Sequence, residues 1–168
     1  IEYEADQRHA EIIIKQLGMV VNSKAAVAPG FKRESRMSED DAKELDSKDA
    51  SLYRGMVARA NYLSQDRSDI RFAVKELCRR MACPRIVDWK ALKKLARYLV
   101  GCPRAVMRFG IQKRDKTIQG WSDSDWAGCV ETRKSTSGGI LMWGSHVLKT
   151  WSTTQDVISL SSGEAEYY

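Results

Sequence analysis

The sequence predicts an α+β fold in which helices come first and strands follow. Three observations carry this. Apolar residues recur at helical spacing, in stripes, as far as Leu99. After Cys102 and Pro103 the texture changes to short β-favouring runs separated by turn residues. The last residues include Ser161-Ser162-Gly163-Glu164, the S-x-x-E spacing that opens a helix.

Each element has its own signal. Asp6 is a suitable N-cap, Ala10, Ile13, Ile14 and Leu17 then share one face, and Gly18 supplies a stop. From Met19 to about Asp46 the periodicity dissolves. Pro29-Gly30 marks a turn and Ser38 to Asp41 starts an acidic run, so this stretch reads as an exposed connection with little core. Three helices follow. Leu52, Met56, Ala60 and Leu63 form the first stripe, and Ile70, Ala73, Val74, Leu77 and Met81 the second, which Pro84 ends. Asp88 is placed to cap the third, whose apolar face is Leu92, Leu95, Ala96 and Leu99, with Gly101 past its end. Strands are expected over 105–111, 118–124, 139–143 and 147–151, with Asp115-Lys116 in a hairpin-like connection and Gly144-Ser145 as a turn.

Charge is uneven. The net charge is +6, yet 14 Lys and Arg stand against three carboxylates between Arg71 and Lys116. Such density favours a polyanion, because each neutralised phosphate releases counterions. An ordinary solvated helical face beside an acidic partner gives the same pattern. The four cysteines, 78, 83, 102 and 129, include no C-x-x-C pair, and only His9 and His146 are available as imidazoles. Reduced thiols in an intracellular protein fit better than a zinc site. No apolar run is long enough to cross a bilayer, and the first residues have no secretory pattern. The chain opens without an initiator Met and closes on Tyr167-Tyr168, which reads as a piece of something longer.

The chemically loaded stretch is Trp121 to Gly128, with Asp123 and Asp125 two residues apart. Alternation along a strand would point both to one face, as a metal site or as two carboxylates in water near Arg133 and Lys134. Glu164, at the start of the last helix, is a second acid, whose ordinary role is the capping box itself. Glu166 would face about 200° away on a helix. Carboxylates on a strand and a crossing helix suit hard cations such as Mg²⁺, and two such ions about 4 Å apart support phosphodiester cleavage. Trp121, Trp126, Trp143 and Trp151 are read mainly as core, with base stacking as the alternative.

Four blocks, Trp121–Gly128, Arg133–Gly138, Trp151–Gln155 and Leu160–Tyr167, together resemble the ribonuclease H opening of copia-type retrotransposon Pol. Upstream, Tyr3–Ala10 resembles the segment where that family's reverse transcriptase leaves its palm. Tyr53–Val57, Asn61–Leu63, Arg67–Ile70, Met81–Pro84 and Leu95–Leu99 resemble its thumb and connection. The resemblance implies a helical thumb/connection followed by the first strands of a ribonuclease H-like mixed sheet, truncated at the start of its first helix. The corresponding boundaries are 1–18 for the palm end and thumb-entry helix, 19–48 for a linker, 49–104 for the thumb/connection and 105–168 for the incomplete ribonuclease H part. It implies that Asp123 is the first catalytic aspartate, bridging two Mg²⁺ ions, and that Glu164 is the catalytic glutamate. The family's next aspartate would lie past Tyr168, and its paired polymerase aspartates before Ile1. Gly163 stands where the family commonly has threonine, and Ser68 where it commonly has proline.

The function expected on that basis belongs to the parent polyprotein: RNA-directed DNA synthesis and two-metal hydrolysis of RNA in RNA–DNA hybrids. The expected partners are hybrid or other nucleic acid and the remainder of the polyprotein. Candidate phosphate contacts are Lys90, Lys93, Lys94 and Arg97, then Arg79 and Arg80, with Arg133 and Lys134 beside the nuclease strand. The isolated segment is expected to be inactive. The alternatives are a non-catalytic nucleic-acid-binding module or a decayed element remnant.

Overall fold

The computed structural model describes residues 1–19, 24–31, 38–114 and 116–168. Asp115 of the expected hairpin connection, and part of the 19–46 stretch, lie outside the described residues. Helix and sheet are both present, as α+β requires, but a short strand precedes the first helix, which the helices-first reading does not expect. The chain divides into two compact units, residues 4–106 and residues 1–3 with 107–168. No described helix is long and apolar enough to cross a membrane.

The first unit is helical. Helix α1 spans Gln7–Gln16, and the Asp6 carboxylate accepts from Arg8 N at its start. The Arg8 guanidinium also donates to both Asp6 carboxylate oxygens, and those hydrogen bonds, with the backbone one, bring the Asp6 pKa down to about 2. Gly18 follows with φ 67°, a conformation in which a Cβ would be strained. Helix α2 is a single turn, Glu39–Ala42, capped by Ser38. Helix α3 covers Ser47–Leu63, capped by Asp46. A 3-10 turn at Ser68–Ile70 leads into α4, Arg71–Cys78, so the second stripe is split and Met81 lies beyond the helix. Helix α5 runs Ile86–Gly101.

Asp88 is not the cap of α5. The helix begins two residues earlier, and Asp88 in its first turn reaches back to accept from Arg85 N at 2.8 Å. Gly101 is the last helical residue rather than the first one past it. The apolar stripes of α1, α3, α4 and α5 converge on one core containing Ile13, Tyr53, Val57, Val74, Leu92 and Leu95. The Tyr53 hydroxyl, buried with its ring, donates to Leu77 O at 2.9 Å.

Residues 38–46 are fastened to this unit. Leu45 N donates to Pro84 O and Ile86 N to Lys43 O, and Leu45 packs against the core. A buried charge closes the other end of α5. Arg67, 2% exposed, grips Asp69 at 2.7 and 2.9 Å and donates to the carbonyls of Cys102 and Pro103. Burial works to raise the Asp69 carboxyl, but hydrogen bonds from Arg67 and Tyr98 outweigh it and keep it below the usual range.

The second unit is built on a three-stranded antiparallel sheet in the order β3-β4-β5: β3 Ile118–Ser124, β4 Thr136–Trp143 and β5 His146–Thr154. The short strands β1, Glu2–Glu4, and β2, Val106–Arg108, pair as a two-stranded sheet. The strand expected over 105–111 is thus confined to three residues. Helix α6, Ser162–Tyr167, follows β5. In register, Trp121 faces Ile140, Asp123 faces Gly138, and Gly139 faces Trp151. A Cβ on Gly139 would collide with the Trp151 ring, so the missing side chain is what lets the indole lie over the strand.

Little of this unit is an apolar core. Among its described residues only Ala127 and Ala165 are buried hydrophobics, beside buried Ser135, Gln155 and Ser159. Trp121 and Trp126 are about half exposed, and Trp143 and Trp151 are half-buried. The four indoles therefore do not form the core expected for most of them. A three-stranded sheet with one short helix has too little second layer to cover such large rings.

Candidate active-site strand and helix

Strand β3 ends at Ser124, and the chain then turns sharply. The Asp125 carboxylate accepts from Thr136 N at 2.7 Å and from Gly128 N at 3.3 Å. Asp125 therefore lies past the strand and is used to close its own loop. The expected alternation with Asp123 ends one residue too early for the two to form a strand-borne pair. A Cβ on Gly128 would run into the Asp125 carboxylate, which gives this glycine a steric reason. Ala127 and Arg133 take positive φ, 53° and 58°. The turn closes through Arg133 N to Cys129 O at 2.8 Å and Cys129 N to Lys134 O at 3.1 Å.

Behind this loop lies a polar interior. The buried Ser135 hydroxyl accepts from Ala127 N at 3.0 Å. Gln155 Nε2 donates to Ser137 Oγ and to Ala165 O, while its Oε1 accepts from Ser159 Oγ at 3.1 Å. Trp126 Nε1 donates to Ser159 O at 3.1 Å. One carboxamide thus joins β4, the 155–161 loop and α6. Gln155 and Ser135 escaped the sequence reading as site scaffolding. The available signal was their place inside two of the recognised blocks.

Helix α6 meets the end of β3. Its Ser161 cap accepts from Glu164 N at 3.1 Å, as the S-x-x-E spacing predicts. The return arm is displaced by one residue: Glu164 Oε2 accepts from Leu160 N at 2.7 Å. The contact between helix and strand is made by Glu166, whose Oε1 accepts from Ser124 N at 3.1 Å. Asp123, exposed, and Glu164, half-buried, sit on these two adjoining elements. Among the described residues no hydrogen-bond partner joins Asp123 to Glu164, whose Oε2 accepts from Leu160 N. Among the described residues no three His, Cys, Asp or Glu side chains gather as a metal cage. Gly163 has open space around its Cβ position, so nothing in its surroundings demands a glycine.

Arg133 is exposed and Lys134 half-buried on the turn after β3, and neither makes an ion pair among the described residues. The basic residues of the helical unit are more engaged. Lys90 pairs with Asp41 at 2.6 Å, which fastens α2 to α5. Arg97 Nε donates to Lys24 O at 2.8 Å. Lys93 lies 5.8 Å over the Trp89 ring, and Arg79 pairs with Glu76 at 3.4 Å. Lys94 and Arg80 are half-buried. A single open cationic face on α5 is therefore not what forms. The acidic run at 39–41 and the 24–26 backbone take up part of it, because a dense positive stripe attracts the nearest carboxylate and carbonyl of its own chain.

The chain is similar to several known proteins. The chain is 34% identical over 161 residues, 95% of its length, to the uncharacterized mitochondrial protein AtMg00810 of Arabidopsis thaliana. It is 37% identical over 119 residues, 71% of its length, to the retrovirus-related Pol polyprotein from transposon RE2 of the same plant. The chain belongs to the copia-type retrotransposon Pol family. A further Pol polyprotein, from transposon TNT 1-94 of Nicotiana tabacum, is 34% identical over 101 residues, covering 60% of this chain and 8% of that protein. The chain spans 64% of AtMg00810 and 8% of the RE2 polyprotein, less than two thirds of either. No protein-family model matches this Pol segment, and no solved structure matches it at a significant level.

Proposed function

We propose that this chain is the part of a Pol polyprotein that joins a reverse-transcriptase thumb and connection to the opening of a ribonuclease H-like sheet. The parent would copy RNA into DNA and hydrolyse the RNA strand of the resulting hybrid. In this reading Asp123 and Glu164 are the segment's share of the nuclease acids. Arg133 and Lys134 on the neighbouring turn, with Lys93 and Lys94 on α5, meet phosphates without reading sequence. The observation that carries it is the docking of α6 on the end of β3 through Glu166 and Ser124 N, which puts the acid-bearing helix against the acid-bearing strand.

Magnesium is the cofactor the family implies, and the residues here do not complete a site for it. Two carboxylates leave most of a hard cation's oxygen shell unfilled, and one oxygen of Glu164 already accepts from Leu160 N. No hydrolytic step is therefore assigned to this chain alone.

Two experiments test the reading. The 168-residue chain, incubated with an RNA–DNA hybrid and Mg²⁺, is expected to bind with an affinity that falls steeply with salt and to leave the RNA intact. Turnover abolished by Asp123→Asn would refute the expected inactivity. In the full Pol polyprotein, Asp123→Asn is expected to stop hybrid cleavage and spare hybrid binding. Cleavage that survives the substitution removes Asp123 from the nuclease and favours a purely binding role.

A further inference from the structure

Helix α5 carries much of its charge on one ridge. Lys90, Lys94, Arg97 and Gly101 follow one another at spacings of four, three and four, so they line one side of the helix. Leu92, Leu95, Ala96 and Leu99 are turned the opposite way, into the core. Two stretches of the connection between α1 and α3 lie on the ridge. At its C-terminal end Arg97 Nε donates to Lys24 O at 2.8 Å, and Ala26 N donates to Arg97 O at 3.2 Å. A Cβ on Gly101 would fall 2.7 Å from Ala25 Cβ, so the glycine leaves the room in which Ala25 sits. At the N-terminal end Lys90 Nζ meets the Asp41 carboxylate at 2.6 Å, with Glu39 and Asp40 in the same turn.

The two ends are held by different chemistry. Residues 24–26 offer a backbone carbonyl to a guanidinium. Helix α2 offers carboxylates, which are anionic oxygen acceptors like those of a phosphate. The ion pair is weakly held, because the Lys90 side chain is 55% exposed and water competes for it. A polyanion competes better than water, since each phosphate that meets a cation also releases counterions. The backbone behind α2 is firmer. Leu45 N donates to Pro84 O at 2.9 Å, Ile86 N donates to Lys43 O at 3.0 Å, and Leu45 packs against the core. Asp41 can therefore give up Lys90 while the turn that carries it stays attached.

We propose that residues 24–26 and 38–45 are a built-in strap over the basic ridge of α5, in which the Asp41 carboxylate occupies Lys90 in place of a nucleic-acid phosphate. The strap lowers the affinity of the ridge for a phosphate chain, and the incoming phosphate displaces Asp41 from Lys90. Arg97, spent on Lys24 O, is withheld at the other end in the same way. The inference rests on the reading that α5 meets phosphates, and it adds the competitor that the chain supplies against them.

The test is a double-mutant cycle on the 168-residue chain, reading its affinity for an RNA–DNA hybrid at about 50 mM salt. Asp41→Asn is expected to tighten binding about threefold, the scale of one exposed ion pair. In the Lys90→Ala background the same substitution is expected to change affinity less than about 1.5-fold, because it acts through Lys90 and not through overall charge. Gly101→Ala, which pushes Ala25 off the far end, is expected to tighten binding about twofold. The proposal is overturned if Asp41→Asn or Gly101→Ala fails to tighten binding, or if the gain from Asp41→Asn persists in full without Lys90. The cycle is run in parallel with linear inorganic polyphosphate, a phosphate chain with neither bases nor duplex. If the wild-type chain binds polyphosphate but not hybrid, the hybrid reading fails and the polyphosphate cycle decides the strap by the same criteria. If it binds neither, the strap is overturned.

Discussion

The helical unit and the sheet unit bury different things. In residues 4–106 the interior is aliphatic and aromatic, with Tyr53, Val57, Leu92 and Leu95 fully enclosed. Among the described residues of 107–168 the buried side chains are two alanines and a hydrogen-bonded set of Ser135, Gln155 and Ser159, while β3 is exposed along all but its last residue. The first kind of interior is held by the non-directional removal of apolar area from water. The second is held by directional bonds, which are each modest when made and costly when one partner is left alone. The helical unit should therefore lose stability in proportion to deleted volume, and the sheet unit in proportion to orphaned donors and acceptors.

The largest expected effect is in the helical core. Leu95→Ala should cost about 3 kcal/mol in urea denaturation, whereas Ile118→Ala on exposed β3 should cost less than about 0.5 kcal/mol. Equal losses would erase the contrast. Next comes Gln155→Ala, which strands Ser137, Ala165 O and Ser159 at once. It should cost about 2 kcal/mol and strip amide protection from α6 while α3 keeps its own. Acid comes third. Asp69 has a depressed carboxyl, so its contribution to stability is fully present above the unfolded aspartate value of about 3.9 and is lost as pH falls through the lower folded value. Asp69→Asn should flatten that part of the melting-temperature profile below about pH 4 without adding a slope at neutral pH. The smallest effect is Lys90→Ala. The pair with Asp41 is more than half exposed on the lysine side, so its loss should cost less than about 1 kcal/mol. If hybrid affinity nonetheless falls and the salt slope shrinks by about one, Lys90 contacts phosphate as well as Asp41.

Residue patterns foretold the helical unit far better than the sheet unit, for the same physical reason. A core made of apolar stripes writes itself into the spacing of Ala10 and Ile13, or of Leu92, Leu95 and Leu99. Asp6 also caps where it should. The spacing does not place Asp88, because aspartate is favourable both as a cap and in the first turn, and only the bond to Arg85 N distinguishes the two. In the sheet unit β3 was legible over its full span, yet Asp125 was carried one position past the strand end. The residues around 110 are β-favouring and suggest strand, whereas Gln112 bonds to the β4–β5 turn. Gln155 was not visible as an organising residue: a polar residue after a strand looks like loop, and its burial arises from partners at 137, 159 and 165. Whether Asp123 and Glu164 share a ligand is a matter of convergence between elements, which spacing along the chain cannot encode.

The order β3-β4-β5 leaves β3 and β5 as the outer strands of the described sheet. Each outer strand carries a ladder side of amide and carbonyl groups that the sheet itself does not pair. On β5 the exposed Lys149 discourages another chain from adding there, and on β3 the carboxylate of Asp123 does so more weakly once shielded by salt. The polypeptide should accordingly behave as a concentration-sensitive solute, remaining dispersed in dilute low-salt buffer and growing turbid first under concentrated, high-salt storage.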